Sequence, residues 1–453
     1  MKILIIGCGK IGVTILESLL AEGHDITAMD SNPKVIEEIT NIYDVMTYCG
    51  SGTDCEALSE AQAENTDLVI SVTGSDEFNM LSCFLARRMG AKHTVARIRN
   101  PEYNAQSLDF IKKEMNISLT INPELLVAHE LFNILKLPTT SKVETFSRGS
   151  LEMVEITVRE DCGIDGLSLI DLKRKYPGNY LVCAVERGEE VFIPDGNFTL
   201  KTGDKIGITA GVAALGKLLK NLNLSAKKAK DIMILGATTT AFYLAKLLLA
   251  SGNTVKIIDP DAARCTQFCE QLHDAVIING DGTHQELLLE EGIDKIDAFV
   301  ALTGLDEENI LLSYFASTQN VPKVITKVSR TEFLLTAQKL GLECIVSPRR
   351  SIAGVAVRYA RALQNSIGSK VETLYKLMNG KAEALEFEVT ADCSIVNIPL
   401  KQLMTRPNIL IAGIVRSRKT IIPTGDDMIL PGDRVVVFTA GHRLGDLSDI
   451  VKR

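Results

Sequence analysis

The sequence predicts an α/β protein with two Rossmann-like parallel-sheet domains, each followed by a small α+β domain. Three observations support this prediction. The chain resembles itself when it is shifted by about 230 residues, which is the signature of a duplication. Each half begins with apolar strands that alternate with amphipathic helices, as in a parallel sheet covered on both faces. Each half ends with segments of period-two alternation, which are typical of antiparallel strands.

The duplication rests on several ordered matches along the two halves. The longest match places Asp67–Asn79 over Asp297–Asn309, and both segments contain Thr-Gly followed by Asp-Glu. Asp30 falls over Asp259 at nearly the same offset. Other matching pairs are Gly50–Thr53 with Gly280–Thr283, Ile193–Gly196 with Ile422–Gly425, and Gly203–Lys205 with Gly432–Arg434. A fold built from two copies of one unit follows from these matches.

Strands and helices of the first half are predicted from their apolar periodicity. The later part of the half alternates at Val154, Ile156 and Val158 and contains a hairpin, Tyr180–Val185 with Val191–Ile193. The earlier part gives strands at Lys2–Ile6, Asp25–Asp30, Asp44–Tyr48, Asp67–Val72 and His93–Ile98, with helices at about Gly9–Glu22 and Glu77–Met89 and from Lys34 and Asp54. The second half repeats the late module at Leu385–Val389, Ile409–Val415, Thr420–Ile422 and Arg434–Thr439.

We expect four domains, at residues 1–136, 142–222, 230–355 and 370–453. Linkers are predicted at 137–150 and in the polar run 221–230, and a third break near 365–382 is indistinct. The second linker contains Lys227, Lys228 and Lys230, so it is basic. A solvated connector is the simplest interpretation, and contact with anionic lipid headgroups is the alternative.

The composition and net charge of the chain argue against several classes of function. A net charge of −8 and a pI near 5.5 argue against nucleic acid as a partner, because the phosphate backbone is held by basic surface. No apolar run approaches the roughly 20 residues that span a bilayer, so we expect any membrane role to be peripheral. The ten cysteines are scattered without CxxC pairs, which favours free thiols over metal or disulfide sites.

A glycine-rich loop, Gly7-Cys-Gly-Lys-Ile-Gly12, follows the first strand and opens the first helix. In a dinucleotide-binding fold the first glycine makes the tight turn, the second lets a pyrophosphate approach the backbone, and the third lets helix and strand pack closely. The pyrophosphate then lies at the helix N-terminus. Asp30 ends the second strand and can accept hydrogen bonds from ribose hydroxyls. Because Ser31 and Asn32 follow instead of arginine, NAD(H) is favoured over NADP. A glycine-rich turn without a ligand is the alternative.

The rest of the first site is expected at the carboxyl ends of the strands. Thr73 and Gly74 follow the fourth strand, and Arg97 and Arg99 end the fifth, on one face if the strand continues regularly. Arg97 could bind a phosphate of its own chain or of a partner in a dimer, or it could be a solvated surface residue. Helix caps are predicted at Asp76 and in Ser51–Asp54, where backbone contact of Thr53 with a nucleotide is the less favoured role.

The second half has a modified loop, Gly236-Ala-Thr-Thr-Thr-Ala241. Its first glycine remains, but Thr238 occupies the second position, where a Cβ obstructs the close approach of a phosphate. The other candidate ligand-binding residues of this half are Thr240, Asp259, Thr303, Gly304 and Lys327, which lies over Arg97. Dinucleotide binding, another ligand or no ligand at all remain open for this cleft.

Together, Gly-Cys-Gly-Lys-Ile-Gly, Gly-Ser-Gly-Thr-Asp, Thr-Gly-Ser-Asp-Glu-Phe-Asn-Met and Ala-Arg-Ile-Arg-Asn-Pro-Glu-Tyr resemble the RCK (regulator of potassium conductance) family. The tandem arrangement over the whole chain is similar to the RCK subunits of Trk-type potassium uptake systems. This resemblance implies a cytoplasmic, peripheral protein that binds NAD(H) and, in some members, ATP or ADP. It also implies a ring of four chains and eight domains docked on a membrane potassium pore.

Carried over to this sequence, the resemblance places the first site at Gly7, Cys8, Gly9, Lys10, Ile11, Asp30, Thr73, Gly74 and Arg97. The second would use Gly236–Thr240, Asp259, Thr303, Gly304 and Lys327. The function implied is non-enzymatic regulation. The alternative from another class is an NAD-dependent oxidoreductase, which needs an acid/base group facing the nicotinamide. The six histidines lie at scattered places that favour structural or surface roles.

Overall fold

The computed structural model describes residues 1–101, 103, 105–136, 143–146, 150–224, 229–342, 344–364, 370–378, 381–417 and 419–452. Lys227 and Lys228 of the predicted basic linker lie outside these residues. The described residues form two parallel and two antiparallel sheets, alternating along the chain. The predicted α/β class, with two Rossmann-like domains each followed by a smaller domain, is therefore confirmed.

The first domain is a six-stranded parallel sheet in the order β3-β2-β1-β4-β5-β6, which is the doubly wound arrangement. Its central strand, β1, is buried over its last four residues because helices cover both faces. Its strands are β1 (Lys2–Ile6), β2 (Asp25–Asp30), β3 (Met46–Cys49), β4 (Leu68–Ser71), β5 (His93–Arg97) and β6 (Leu119–Ile121). Its helices are α1 (Lys10–Ala21), α2 (Pro33–Ile42), α3 (Cys55–Glu60), α4 (Asp76–Met89), α5 (Ala105–Glu114) and α6 (Pro123–Lys136).

The first small domain is a five-stranded antiparallel sheet in the order β10-β9-β11-β8-β7. Its outermost strand, β7 (Val143–Phe146), lies within the segment 137–150 that the sequence predicts as a linker, so that prediction is wrong there. The strand forms because it pairs with β8 from Val143 opposite Val154 to Phe146 opposite Leu151. The other elements are β8 (Leu151–Thr157), α7 (Leu169–Lys175), β9 (Tyr180–Arg187), β10 (Glu190–Phe192), β11 (Lys205–Ala210) and α8 (Val212–Asn221).

The third domain repeats the first, in the order β14-β13-β12-β15-β16-β17. Its strands are β12 (Asp231–Leu235), β13 (Thr254–Asp259), β14 (Val276–Asn279), β15 (Ala298–Ala301), β16 (Lys323–Lys327) and β17 (Cys344–Val346). Its helices are α9 (Thr239–Ala250), α10 (Ala262–Gln271), α11 (Gln285–Glu290), α12 (Asp306–Thr318), α13 (Thr331–Lys339) and α14 (Pro348–Gln364).

The fourth domain repeats the second, in the order β18-β19-β22-β20-β21. Short 3-10 turns at Leu400–Gln402 and Leu447–Ile450 occupy the places of α7 and α8. The first strand falls in the region where the sequence shows no distinct boundary. The strands are β18 (Lys370–Leu377), β19 (Ala382–Glu388), β20 (Ile409–Arg416), β21 (Lys419–Ile421) and β22 (Arg434–Ala440).

The two halves exchange helices. Helix α6 leaves the first sheet and packs on α9 of the second half, while α14 packs on α1 of the first half. Val127, Leu131 and Leu135 of α6 therefore join the core of the third domain. Val357 and Ala360 of α14 join the core of the first. Each Rossmann domain thus packs against a helix from the other half, so the two domains form an intertwined pair.

The two small domains also contact each other. Their shared apolar core includes Leu151 and Met153 from the first half with Ala384 and Phe438 from the second. The Thr209 hydroxyl donates to the carbonyl of Ala412 across this contact at 3.2 Å. No helix among the residues described is both long enough and apolar enough to cross a membrane.

Candidate nucleotide-binding site

The three glycines of the first loop meet three different requirements. Gly7 has a φ of +90°, and an added Cβ would lie 2.7–2.9 Å from atoms of Thr73. A Cβ on Gly12 would lie 2.0 Å from the carbonyl oxygen of Gly7, so these two positions require glycine for the fold itself. A Cβ on Gly9 would meet no protein atom within 4 Å. The fold therefore does not need glycine at position 9, and the open space above it suits a ligand.

Helix α1 begins without a side-chain cap. Gly9 is its N-cap residue, with extended backbone and no side-chain hydrogen bond to the first turn. The first amides of a helix have no acceptors within the helix, and together with the helix dipole they attract anions. Lys10 is exposed and Ile11 half-buried in this first turn. Among the described residues, no side chain therefore caps the first turn of α1 beside the space over Gly9.

Asp30, at the end of β2, is held against the loop. Its Oδ2 accepts a hydrogen bond from the Cys8 amide at 2.8 Å, and its Oδ1 accepts one from the Asn32 amide at 2.8 Å. Asp30 is half-buried, so it is not fully enclosed by these contacts. Burial, and then the charge of Asp30, raises the pKa of the Cys8 thiol to about 12. Cys8 is therefore a neutral packing residue of the loop, while Asp30 is oriented for a polar ligand.

Asn79 on α4 fixes the next part of the cleft. Its Oδ1 accepts from the Thr73 amide at 2.8 Å and from the Thr73 hydroxyl at 2.7 Å. Its Nδ2 donates to the carbonyl of Arg97 at 2.9 Å. One buried amide thus joins the carboxyl ends of β4 and β5. Gly74 follows, and an added Cβ there would meet nothing within 4 Å.

Arg97 is enclosed rather than solvated, since its side chain is only 12% exposed. Nη2 lies 3.6 Å from Glu124 Oε1, and Nη1 donates to the carbonyl of Thr73 at 3.4 Å. Nε has no acceptor among the described residues. Burial lowers the pKa of Arg97, and Glu124 opposes this effect. A buried cation with an unused donor at the carboxyl edge of the sheet is suited to bind an anion.

Two sequence predictions near the cleft are wrong. Ser75, not Asp76, caps α4, because the Ser75 hydroxyl accepts from the Phe78 amide at 3.2 Å. Asp76 instead accepts from the amides of Arg99 and Asn100 at 2.7 and 2.8 Å. Strand β5 ends at Arg97, so Arg99 is not on a common strand face with it and lies 3.6 Å from Asp76.

The helix cap predicted in Ser51–Asp54 is confirmed. Asp54 caps α3 by accepting from the Glu56 amide at 3.0 Å. Thr53 is half-buried, and its hydroxyl shares a 2.9 Å hydrogen bond with Ser51. Thr53 follows β3, at the same edge of the sheet as the other candidate residues.

The second cleft differs at its helix. Gly236 keeps the tight turn, with a φ of +99°. Thr238 is the N-cap residue of α9, and its hydroxyl accepts from the Ala241 amide at 3.3 Å. The Thr238 hydroxyl therefore accepts from a first-turn amide of α9, whereas α1 has no side-chain cap. The Cβ of Thr238 takes the position that corresponds to the open space over Gly9. Thr240 is buried within the helix and does not replace these features.

The acidic residue of the second cleft, Asp259, has more polar partners than Asp30 has in the first cleft. Asp259 Oδ2 accepts from the Ala237 amide at 2.7 Å, as Asp30 does from Cys8. Arg264 adds an ion pair, with Nη2 at 3.4 Å from Asp259 Oδ1. Asp259 is 2% exposed. Its carboxylate is consequently less available to a ribose than that of Asp30.

The remaining residues of the second cleft match the first closely. Asn309 Oδ1 accepts from the Thr303 amide at 2.9 Å, and Nδ2 donates to the carbonyl of Lys327 at 3.1 Å. Gly304 has open space around it. Lys327 Nζ donates to the carbonyl of Leu302 at 3.3 Å, and burial lowers its pKa. The second cleft therefore keeps the arrangement at the ends of β15 and β16, but it differs from the first at the N-terminus of its first helix, α9.

Comparison with known proteins gives the family. The TrkA-N domain model matches residues 3–123 and 232–348, and the TrkA-C domain model matches 153–223 and 384–452. The Trk system potassium uptake protein TrkA homolog 1 of Methanosarcina mazei is 30% identical over 460 residues, covering 100% of both chains. This chain belongs to the TrkA family. The TrkA protein of Vibrio alginolyticus is 28% identical over 99% of this chain and 98% of its own.

Solved structures support the fold of this TrkA-family chain. The RCK domain of GsuK superposes with a TM-score of 0.62 at 16% identity, covering 97% of this chain and 92% of that one. The GsuK channel bound to NAD gives a TM-score of 0.60 at 16% identity, covering 97% of this chain and 77% of the other. These likenesses confirm tandem RCK-type folds.

The structure gathers the predicted residues of each half at the carboxyl edge of one sheet, as a doubly wound fold requires. Two residues of the cleft are not among those predicted from the sequence: Asn79, which joins two of these strands, and Glu124, which lies beside Arg97. A signal for Asn79 was present, because it and Asn309 end the longest repeated segment. Glu124 comes from α6, whose path across the two halves no local pattern indicates.

Proposed function

We propose that this chain is a nucleotide-binding regulatory subunit of a potassium uptake system, with its principal nucleotide site in the first half. The observation that carries this proposal is the combination of open space over Gly9, an uncapped α1 and the unused Nε of Arg97. In this arrangement the loop amides bind the pyrophosphate, Asp30 accepts from the ribose, and Arg97 binds an anionic group. Thr73, Gly74 and Thr53 line the remainder.

NAD(H) is the proposed ligand, with ADP or ATP as the second candidate. The Asn32 side chain caps α2 by accepting from the Lys34 amide at 3.1 Å, and no arginine stands beside Asp30 to hold a 2′-phosphate. NAD(H) is therefore favoured over NADP. The structural neighbours include GsuK channels bound to NAD and to ADP, which is consistent with either ligand class. For the second cleft we propose weaker or altered binding, because of Thr238 and Arg264.

A membrane potassium transporter of the Trk type is the proposed partner, since full-length relatives carry that system in their names. We place the protein in the cytoplasm, peripheral to the membrane. A closed ring of four chains would present eight RCK domains to the pore. Exposed apolar residues at equivalent positions of the two halves support such an assembly: Leu81 and Leu311 are 42% and 65% exposed, and Phe110 and Leu335 are 66% and 65% exposed.

Nucleotide occupancy can favour one ring shape only through a difference in its affinity for the two shapes. Moving an equilibrium from 1:99 to 99:1 needs roughly 5.5 kcal/mol. In a ring of identical sites, each site need contribute only about 1–2 kcal/mol. The alternative function, an NAD-dependent oxidoreductase, is less well supported, because the family relatives are named as uptake proteins.

The proposal is tested by potassium transport in cells. Deleting the gene should lower rubidium uptake several-fold, and the wild-type chain should restore it. Gly9→Ala should fail to restore uptake, because its Cβ blocks the proposed pyrophosphate position. Gly216→Ala on α8 is a matched control, since its added Cβ also meets nothing within 4 Å. Full uptake in the deletion strain, or full restoration by Gly9→Ala, would contradict the proposal.

A further inference from the structure

Arg361 on α14 forms a buried cluster of charges with two carboxylates that are distant in sequence. Its Nε donates to Glu22 Oε2 at 2.8 Å and its Nη2 donates to Glu22 Oε1 at 3.0 Å. Nη1 and Nη2 also donate to the two oxygens of Glu383, at 3.0 and 3.1 Å. The side chains of Arg361, Glu22 and Glu383 are only 6%, 7% and 14% exposed. One guanidinium therefore holds two carboxylates, each through both oxygens.

The three residues belong to three different parts of the fold. Glu22 is the C-cap residue of α1, the same helix whose N-terminus forms the first candidate nucleotide site. Arg361 is near the end of the crossing helix α14. Glu383 is on β19 of the fourth domain. Helix α1 is a single helix of 12 residues, so it joins the candidate nucleotide site at its N-terminus directly to Glu22 at its C-terminus.

The equivalent crossing of the other helix lacks this cluster. By the internal repeat, Lys136 on α6 corresponds to Arg361, Glu152 on β8 to Glu383, and Ser251 at the end of α9 to Glu22. Lys136 and Ser251 are exposed, and Lys136 forms no ion pair with any described residue. Its charge acts on Glu152 only at a distance, opposing the rise in pKa that burial causes. The fold therefore does not require the charge cluster at a crossing.

The apolar core around α14 follows the same path as the charge cluster. One buried cluster runs without interruption from Ile5 and Leu16 of the first domain through Val357 of α14 to Phe387 and Val437 of the fourth domain. At the other crossing, α6 shares a cluster with the third domain, while the described core of the second domain forms a separate cluster.

We propose that Arg361 is a positioning residue that couples the first nucleotide cleft to the fourth domain, and that the second cleft has no equivalent coupling to the second domain. The inference rests on the proposed nucleotide site. Separating the buried guanidinium from either carboxylate breaks a two-point ion pair between groups that are shielded from water, which is unfavourable. When α1 shifts on ligand binding, the fourth domain therefore follows Glu22 and Arg361 rather than losing contact with them. Nucleotide binding in the first cleft is then coupled to the fourth domain, and this coupling is reciprocal.

Hydrogen exchange of the full-length protein, with and without saturating NADH, tests this coupling. In the wild type, NADH should slow exchange in peptides covering β19 and β22 at least twofold. Glu22→Ser copies the residue found at the other crossing and leaves Arg361 paired with Glu383. We expect this variant to bind NADH with unchanged affinity, measured by titration of the same samples, and to lose the response of β19 and β22. Arg361→Lys, which copies Lys136, should weaken the response.

Lys136→Ala is the matched control and should retain the full response. A response of β19 and β22 that persists in Glu22→Ser would overturn the role of the cluster. NADH binding by the wild type without any change in the fourth domain would overturn the coupling but leave the proposed function standing. Absence of NADH binding in the wild type would remove the proposed function and the coupling together.

Discussion

Replacing Gly9 by alanine should abolish NADH binding while leaving the unliganded protein as stable as the wild type. The backbone at Gly9, with φ −67° and ψ −171°, is accessible to any residue, and the added Cβ meets no protein atom within 4 Å. The methyl group instead fills the space where a pyrophosphate would contact the loop amides. We expect the Kd for NADH to rise about 100-fold or more, equivalent to roughly 2.7 kcal/mol. Isothermal titration and thermal unfolding measure the two effects.

Gly12 provides the contrasting variant. An alanine there would place its Cβ 2.0 Å from the Gly7 carbonyl oxygen, so Gly12→Ala should lower the melting temperature without any ligand. The comparison separates a glycine that the fold requires from one that the ligand requires. If Gly9→Ala bound NADH as tightly as the wild type, the pyrophosphate could not lie over this loop.

Replacing Arg361 by methionine should cause the largest loss of stability among single substitutions at the domain junctions. The variant removes the guanidinium that Glu22 and Glu383 share, while both carboxylates stay buried. Breaking a buried ion pair in this way typically costs about 3–5 kcal/mol. The matched variant Lys136→Met removes an exposed side chain at the equivalent crossing, where the effect should be within about 0.5 kcal/mol.

Calorimetry and urea unfolding should therefore show an earlier transition for Arg361→Met than for Lys136→Met. Because the chain has several domains, the first transition is the one to compare. Adding Glu22→Gln and Glu383→Gln to Arg361→Met should recover much of the loss, since no unpaired buried charge remains. Equal destabilisation by the two single methionine variants would show that the cluster contributes no more than an exposed lysine.

Local patterns were sufficient for the first five strands of the first sheet and for the glycine-rich loop. The run Lys2–Ile6 followed by three spaced glycines fixes a buried strand, a turn and a helix start within a dozen residues, and Asp30 follows from the next strand. Because the chain is duplicated, the same order of strand, turn and helix was predicted for the second half. Thr238 already indicated that the second phosphate site differs, and the structure adds the physical reason, a side chain that caps the helix itself.

Features that depend on distant partners could not be predicted. Periodicity shows that α6 and α14 have apolar faces, but it cannot show that each packs on the opposite half. Glu22, Arg361 and Glu383 are hundreds of residues apart or on different domains, so no spacing rule connects them. The wrong cap at Asp76 has a local cause, because Ser75 beside it is an equally good cap and the buried position of Asp76 is set by Arg99 and Asn100.

The central claim is that the two duplicated clefts are unequal and that the first is the nucleotide site. Titration of the full-length protein with NADH, with stoichiometry measured per chain, tests it most directly. We predict one tightly bound NADH per chain, unchanged by Asp259→Ala in the second cleft and lost with Asp30→Ala in the first. Two equivalent NADH molecules per chain, or loss of binding with Asp259→Ala alone, would contradict this account.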